Sequence, residues 1–300
     1  GDEGIALREG GLVGKILVLG SCYPFSESFE VLLKHDLTPT LSSLEAAQEL
    51  GRMMVGRDSN IFAHIKMETG MNRIGARPET CLDIARLLGR YPNIKLEGVY
   101  THFASAKDEA STRGQMDIFQ RGIALLRNDR QQILCLHAAN SAATLRYPET
   151  HFDLVRSGLA LYGAVPGFEP VAQLKSRVVF LKKVSAGTSV SYEGLHVTRK
   201  EAVLATLPVG YADGLPLAAW RKAHVLIRGQ RAPVAGVITM DMTIVDVTDI
   251  PGVHVGDEVV VIGSSGSEKV TPGDWAGWGK ISVYQFLCGL GVPRLPKVYL

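Results

Sequence analysis

Residues 61–88, IFAHIKMETGMNRIGARPETCLDIARLL, decide the fold because they place a short apolar run before a longer amphipathic one. The run Ile61–Lys66 has the length and composition of a buried strand, and Pro78–Leu88 has helical spacing with a proline at its start. The connecting loop contains Gly70 and Gly75 and carries Arg73. A strand followed by a helix is the repeating unit of a parallel sheet with helical crossovers.

The same alternation continues from residue 14 to about residue 165 and predicts six strands. The predicted strands are Lys15–Leu19, Thr38–Leu41, Ile61–Lys66, Leu96–His102, Ile133–His137 and Leu154–Arg156, and the helices between them include Leu44–Met54, Pro78–Leu88 and Thr112–Arg127. In such folds the reactive groups collect at the carboxyl ends of the strands. Four polar residues stand at predicted strand ends, namely Lys66, His102, His137 and Arg156.

After about Pro166 the pattern changes to short alternating strands separated by Gly, Pro and Asp turns, which predicts antiparallel β structure. The predicted strands are Leu174–Ser185, Ala202–Pro208, Ala223–Ile227, Ala235–Val247 and Glu258–Ile262. We therefore predict two domains, an α/β domain over residues 1–165 and a β domain over residues 166–300.

Composition excludes several classes of function. The 300 residues are 46% hydrophobic and 21% charged with a net charge of +2, and basic residues form no long run, so a nucleic-acid partner is not expected. The four cysteines are scattered without metal-ligand spacing, which favours a reduced cytoplasmic compartment and no metal site. No apolar run reaches the roughly 18 residues of a membrane span. These features favour small-molecule chemistry.

Three stretches of the first domain carry candidate binding groups. Arg73 belongs either to a solvated ion pair in a surface loop or to an anchor for an anionic ligand, since a guanidinium holds one fixed geometry. The stretch HAANSAATL, residues 137–145, follows a strand and starts a helix near Ser141. Its polar residues either cap the helix for structural reasons or form a phosphate-binding site at the helix N-terminus. In VRSGLALYG, residues 155–163, Gly158 allows a ligand to approach the backbone.

His102 is either a satisfied core histidine or a member of a hydrogen-bond network with His137 and Arg156. In the β domain, Gly-flanked turns present Tyr192, Tyr211 and Asp241. A tyrosine acts as a general base only when nearby cations lower its phenol pKa from about 10.

Taken together, these separated motifs resemble the pyridoxal-phosphate-dependent alanine racemase family of fold-type III, and the similarity covers essentially the whole chain. The resemblance implies a (β/α)8 barrel followed by a C-terminal antiparallel β domain. It also implies a cytoplasmic homodimer with shared active sites, pyridoxal 5'-phosphate (PLP) as cofactor and the interconversion of L- and D-alanine, which supplies D-alanine for peptidoglycan.

The resemblance also implies residue roles. Arg156 would bond the pyridine nitrogen, His102 and His137 would support the ring and its network, and Ser141 with Gly158 and Leu159 would hold the phosphate. Arg73 would contact the substrate carboxylate, with a carbamylated Lys66 holding it in place. Tyr192 would be one catalytic base, contributed by the partner subunit. Tyr211, Met240 and Asp241 would line the substrate side.

Two departures from the family pattern matter. The cofactor lysine of the family lies in a stretch resembling KADAYGHG, which these 300 residues do not contain, so the second base is absent. We therefore expect a fragment that lacks the first two barrel strands and is inactive alone, and an inactive truncated product remains an alternative. Near the C-terminus, Val292 stands where many members carry a phosphate-contacting tyrosine, which leaves serine racemization open. A related decarboxylase is disfavoured because its Cys-Glu motif is missing.

Overall fold

The computed structural model describes residues 1–290 and 294–298, and the chain divides into two compact units, Gly1–Gly158 and Leu159–Leu300. Each unit has its own buried apolar core. The domain boundary that the sequence predicts after residue 165 stays a prediction.

Unit 1 is a six-stranded parallel sheet in which the strands lie side by side in chain order. Its strands are β1 (Leu17–Ser21), β2 (Thr38–Leu41), β3 (Ile61–Lys66), β4 (Ile94–Tyr100), β5 (Cys135–Asn140) and β6 (Leu154–Arg156). Its helices are α1 (Asp2–Glu9), α2 (Ser26–Lys34), α3 (Leu44–Met54), α4 (Pro78–Leu88), α5 (Glu109–Asn128) and α6 (Ser141–Arg146). The predicted parallel α/β architecture is confirmed as part of a barrel, whereas the two missing strands stay a prediction.

Local sequence explains where the helices begin and which faces they bury. Ser43 caps α3 by accepting a hydrogen bond from the Ala46 N–H, and Pro78 occupies the first turn of α4. Helix α4 buries Cys81, Ile84, Ala85 and Leu88, the three- and four-residue spacing of a single helical face. Helix α4 therefore packs one apolar face into the core of unit 1.

Three predicted strand ends in unit 1 were wrong, and one of them is that of β1, which ends at Ser21 and not at Leu19. Strand β4 ends at Tyr100, so His102 lies in the following loop, and β5 continues to Asn140, so His137 lies inside the strand. Ala138 and Ala139 extend β5 in a fully buried environment. A parallel strand covered on both faces shows no alternation of polar and apolar residues, and its end therefore leaves little signal in the sequence.

Unit 2 is antiparallel, as predicted, and contains three sets of strands. Strands β8 (Phe180–Val184), β11 (Ala202–Leu207) and β14 (Thr243–Asp246) form one sheet; β7 (Leu174–Arg177), β12 (His224–Ile227), β13 (Gln230–Pro233), β15 (Glu258–Ser265) and β16 (Glu268–Val270) form another; β9 (Ser189–Val190) pairs with β10 (His196–Val197). Helices α7 (Pro272–Gly279) and α8 (Val283–Gly289) follow. Among the residues described, no helix is long and apolar enough to cross a membrane.

Two predicted strands of unit 2 were too long by more than one residue. The run Leu174–Ser185 divides into β7 and β8, because the Val178 N–H bonds the Asp257 carbonyl while the Val179 N–H bonds the Thr206 carbonyl of β11. Within Ala235–Val247, Thr243–Asp246 alone is a strand. Gly236 has a φ of +89°, which turns the chain into a loop before that strand.

Candidate active site

Basic side chains gather at the carboxyl ends of the unit 1 strands. Lys66 is the last residue of β3 and only 4% exposed, and Arg156 is the last residue of β6. The Tyr100 ring at the end of β4 contacts both cations, with its centroid 5.8 Å from Lys66 Nζ and 5.1 Å from Arg156 Cζ. The parallel topology thus places two cations and an aromatic ring at one edge.

The Arg156 guanidinium is fixed by several acceptors. Its Nη1 donates to His137 Nδ1 over 2.7 Å, and its Nη2 donates to the carbonyls of Thr101 and Ala138 over 2.7 and 3.0 Å. The His102 Nδ1 lies 3.4 Å from Nη2. Burial lowers the pKa of Arg156 to about 10, so the guanidinium stays charged at neutral pH. Arg156 is therefore a positioned cation.

The two histidines beside Arg156 are neutral at pH 7. Burial, followed by the charges of Arg156, Lys66 and Arg73, lowers the pKa of His102 to about 4. Burial, followed by Arg156 and then His64, lowers the pKa of His137 to about 3. The fully buried His137 ring stacks on Tyr100 with centroids 4.6 Å apart. The cluster therefore combines fixed positive charge with neutral imidazoles.

The loop that carries Arg73 is closed at its base. The Ala76 N–H donates to the Lys66 carbonyl over 2.9 Å, and the Glu68 N–H donates to the Ala76 carbonyl over 2.8 Å. Gly75 has a φ of +148°, and a Cβ there would lie 3.0 Å from the Glu68 nitrogen. Burial first, and then the charges of Arg73 and Arg156, lower the pKa of Lys66. A loop whose base is closed by two backbone hydrogen bonds thus presents the exposed Arg73 guanidinium near the buried Lys66.

The start of α6 and the segment after β6 offer polar and open surface. Asn140 caps α6 by accepting from the Ala143 N–H over 3.1 Å, while Ser141 is the buried first residue of the helix. Among the residues that the structure describes, and apart from the two chain neighbours of Gly158, no heavy atom lies within 4 Å of a Cβ built on Gly158. Gly158 ends unit 1 and Leu159 begins unit 2.

In unit 2, Tyr192 stands on a strained turn. It is 64% exposed and lies between Ser191, with a φ of +63°, and Glu193, with a φ of +60°. The Ser191 hydroxyl donates to the Val237 carbonyl over 2.6 Å, and a Cβ on Gly236 would come within 2.6 Å of the Val190 carbonyl oxygen. Left-handed backbone at non-glycine residues is costly and often marks functional positions.

The other candidates of unit 2 lie on two turns that are bonded together. The Tyr211 N–H donates to the Thr239 carbonyl and the Ala212 N–H to the Met240 carbonyl, each over 3.0 Å. The packing is close, because a Cβ on Gly210 would approach both carbonyl oxygens within 2.3 Å. These bonds bring together Tyr211, Met240 and Asp241, each with an exposed side chain.

The structure thus gathers Lys66, His102, His137 and Arg156 in unit 1. In unit 2 it gathers Tyr211, Met240 and Asp241, whereas Tyr192 lies on a separate segment that contacts Gly236 and Val237. Val292 lies outside the described residues. Sequence reasoning missed Tyr100, His64 and Glu97, which contact this network. The available signal was Glu97, a charged residue on the same strand as Lys95 in IKLEGVY, but next to the glycine and the apolar residues that end the strand.

Comparison with known proteins gives a consistent result over the chain. The family model described as the N-terminal domain of alanine racemase matches residues 1–166, and that of the C-terminal domain matches residues 171–299. The alanine racemase of Halothermothrix orenii is 40% identical, covering 99% of this chain and 80% of the relative. That of Symbiobacterium thermophilum is 39% identical, covering 99% and 81%.

Solved structures agree. The alanine racemase of Streptomyces coelicolor A3(2) superposes with a TM-score of 0.91 at 30% identity, covering 100% of this chain and 82% of that chain. The alanine racemase of the D-cycloserine producer Streptomyces lavendulae gives 0.90 at 32% identity, covering 100% and 81%.

A barrel-type parallel sheet with basic and imidazole side chains at its strand ends, followed by an antiparallel β unit, defines an α/β-barrel enzyme with an added β domain. Within this class, the matches extend over nearly the full chain and show that the chain belongs to the alanine racemase family, a family of isomerases.

Proposed function

We propose that the protein interconverts L- and D-alanine using PLP held at the strand ends of unit 1. The observation that carries this proposal is Arg156, a charged guanidinium fixed against the neutral His137 and beside the buried Lys66. The relatives named alanine racemase support it.

The donor set fits PLP, whose polar groups are a phosphate, a phenolic oxygen and a pyridine nitrogen. Arg156 supplies a donor for the ring nitrogen, the open space at Gly158 leaves room beside the backbone, and Ser141 supplies a hydroxyl. Bound PLP would supply an electron-withdrawing ring that acidifies the Cα–H of an attached amino acid. Gly158 and Leu159, with Ser141, would hold the phosphate.

Arg156 would orient the ring and leave its nitrogen unprotonated. Its pKa of about 10 keeps the proton on the guanidinium at neutral pH, so the residue donates a hydrogen bond without transferring the proton. His102, neutral and partly buried, would pack against the ring, and His137 would hold Arg156. With PLP bound, these residues would keep the ring nitrogen unprotonated and so would limit how far negative charge from the substrate Cα spreads into the ring.

Arg73 would bind the substrate carboxylate, since its loop presents an exposed guanidinium whose charge acts on the buried Lys66. Lys66 is a candidate for carbamylation, because burial and neighbouring charge lower its pKa and a neutral amine is the form that adds carbon dioxide. A carbamate would reverse its charge and pair with Arg73.

Tyr192 would act as a base at Cα, supplied by the partner subunit of a homodimer. Its exposure supports this, and so do the half-exposed Leu195 and Val197 of the same segment, which give an apolar surface for a second subunit. Tyr211, Met240 and Asp241 would line the substrate side. No lysine in the 300 residues has the family's cofactor context, so Tyr192 is the base that this chain supplies.

The test is chiral chromatography of L-alanine incubated with PLP and the full polypeptide that contains these residues. We expect D-alanine from the wild type, and a loss of about 100-fold or more in kcat for Tyr192→Phe, which removes a general base. Tyr284→Phe is the matched control, because Tyr284 is also an exposed tyrosine of unit 2. Equal rates in Y192F and wild type would contradict the role of Tyr192.

The same assay separates the serine alternative, which Val292 motivates. A higher kcat/KM for L-serine than for L-alanine would show that serine, and not alanine, is the preferred substrate. If the protein binds PLP but turns over neither amino acid, the result would support the alternative that it is a catalytically inactive truncated protein.

A further inference from the structure

A line of buried side chains extends from Arg156 into the sheet. Beyond the Arg156–His137 bond, His137 Nε2 lies 2.9 Å from His64 Nδ1, and His64 Nε2 lies 3.3 Å from Glu97 Oε2. Lys15 pairs with the other carboxylate oxygen of Glu97. The line crosses β6, β5, β3 and β4, and none of the functional roles assigned above uses His64 or Glu97.

The chemistry of the two ends fixes the direction of every bond in this line. A guanidinium can only donate, so His137 Nδ1 must accept and His137 carries its proton on Nε2. That proton points to His64 Nδ1, which must accept in turn, and His64 therefore carries its own proton on Nε2 toward Glu97. An ionised carboxylate can only accept, so each donor in the series from Arg156 to Glu97 faces an acceptor.

The charge states agree with this direction. Burial is the main cause that lowers the pKa of His64 and of His137, which keeps both rings neutral at pH 7. Partial burial alone would raise the pKa of Glu97, but the bonds from Lys15 and His64 lower it, so its carboxylate is ionised. An anion at one end and a cation at the other polarise the neutral imidazoles between them.

The backbone is shaped to make the line possible. The register of β3 and β4 shifts between Ala63, opposite Leu96, and His64, opposite Gly98, so Glu97 is an inserted residue without a partner on β3. Such bulges re-aim a side chain. Gly98 is also required, since a Cβ there would lie 2.4 Å from His64 Cε1 and 2.7 Å from the Cys135 carbonyl oxygen.

We propose that Glu97 and His64 are positioning residues for the reaction, which hold His137 in the tautomer that accepts from Arg156 and so hold the guanidinium in place. This inference rests on the proposed function for its effect on turnover, whereas the tautomers themselves do not depend on that function. Without an acceptor at position 97, His64 has no partner for a proton on Nε2. It then protonates Nδ1, faces His137 as a donor, and forces His137 toward the tautomer that opposes Arg156.

The first experiment is nitrogen NMR of the protein labelled with ¹⁵N-histidine at neutral pH, without added PLP. We expect both His64 and His137 as neutral Nε2–H tautomers. His151 serves as an internal reference, because its Nε2 contacts the Thr144 carbonyl, which can only accept. A proton on Nδ1 of His137 or His64 in the wild type would overturn the proposal.

Two variants test the effect on Arg156. Glu97→Leu removes the acceptor, and we expect a change of tautomer at His64, altered His137 signals and an unchanged His151. With PLP, we expect kcat to fall about 10- to 100-fold with little change in KM, the range seen for carboxylates that orient metal-bound histidines. Glu97→Gln keeps an acceptor oxygen and should retain the tautomers and most of the turnover.

Asp129→Leu is the control for losing an ion-paired carboxylate, since Asp129 bonds Arg86 at the surface. If E97L leaves both kcat and the His137 signals unchanged, the proposal fails. If E97L does not fold, the wild-type spectrum and E97Q still decide, because E97Q must keep the Nε2–H tautomers. Predicted tautomers in a protein that makes no D-alanine would support the hydrogen-bonded line and contradict the proposed function instead.

Discussion

The Arg156 guanidinium donates to His137 Nδ1 over 2.7 Å, between the neighbouring parallel strands β6 and β5. The charge of Arg156 adds to burial in lowering the pKa of His137, so the histidine remains an acceptor. Because the acceptor of this bond is a neutral imidazole and not a carboxylate, the bond fixes the guanidinium in place without neutralising its positive charge.

Arg156→Lys should destabilise the protein. An ammonium cannot span His137, Thr101 and Ala138 as the guanidinium does, so buried acceptors lose their donors. We expect the free energy of unfolding in urea to fall by about 2 kcal/mol. Arg146→Lys is the control, because Arg146 makes an exposed bond to the Lys107 carbonyl. A stability of R156K equal to that of R146K would be inconsistent with this account.

Gly98→Ala and Gly114→Ala should change stability in opposite directions. A methyl at Gly98 would meet the His64 ring and the Cys135 carbonyl, and overpacking of this kind costs about 1–3 kcal/mol. Gly114 lies in α5, and in the described part of the chain no atom outside the neighbouring helix backbone lies within 4 Å of a Cβ built there. Alanine should therefore stabilise the helix by about 0.5–1 kcal/mol. Urea unfolding measures both. If G98A were as stable as G114A, the close contact would be refuted.

The free energy of unfolding should fall as the pH is lowered, because His102 and His137 are held neutral in the folded protein and bind protons more readily when it unfolds. Unfolded histidine has a pKa of about 6.5, whereas the folded pKa values of His102 and His137 are about 4 and about 3. Between these values the unfolded state binds more protons, so the free energy of unfolding decreases as pH falls. Each group contributes a slope of at most about 1.4 kcal/mol per pH unit.

His102→Gln isolates one of these contributions. Unfolding free energies of wild type and H102Q, measured between about pH 7 and about pH 5, should show a shallower pH dependence for the variant. Parallel curves for the two proteins would show that His102 is not held neutral.

Arg294→Gln should loosen the two turns of unit 2 that carry Tyr211, Met240 and Asp241, the residues that we propose line the substrate. Arg294 Nη1 donates to Asp241 over 2.7 Å, and its Nε lies 3.5 Å from the buried Asp213, whose carboxylate accepts from the Gly210 N–H. We expect KM for alanine to rise by up to about fivefold with kcat retained, since exposed ion pairs contribute at most about 1 kcal/mol.

Lys200→Gln, which breaks the exposed pair with Asp249, is the control and should leave KM unchanged. A loss of kcat without a rise in KM in R294Q would argue against a role in holding the substrate side.

The sequence predicts unit 1 well where residue types change at element boundaries. Strand β3 ends at Lys66, as expected, because a charged residue and then glycine follow an apolar run. The end of β5 was wrong because Ala138 and Ala139 continue a doubly covered strand. The division between β7 and β8 was missed because Val178 and Val179 are both apolar, although the first bonds Asp257, next to β15, and the second bonds Thr206 of β11.

The candidate site was predicted in part. The hydrogen-bond network of Arg156, His137 and His102 was one of the two readings that the sequence left open, and the structure contains these contacts. Of the three residues, Arg156 alone ends its strand, since His102 follows β4 and His137 lies inside β5. His64 and Glu97 were missed because their pairing depends on a bulge in β4, a matter of register between strands that a single sequence does not show.

The central claim is tested most directly by proton NMR of L-alanine in D₂O with PLP and the full polypeptide that contains this chain. The account predicts that deuterium replaces the Cα proton while chiral analysis shows L- and D-alanine approaching equal amounts. Retention of the Cα proton together with unchanged L-alanine, in protein that binds PLP, would contradict it.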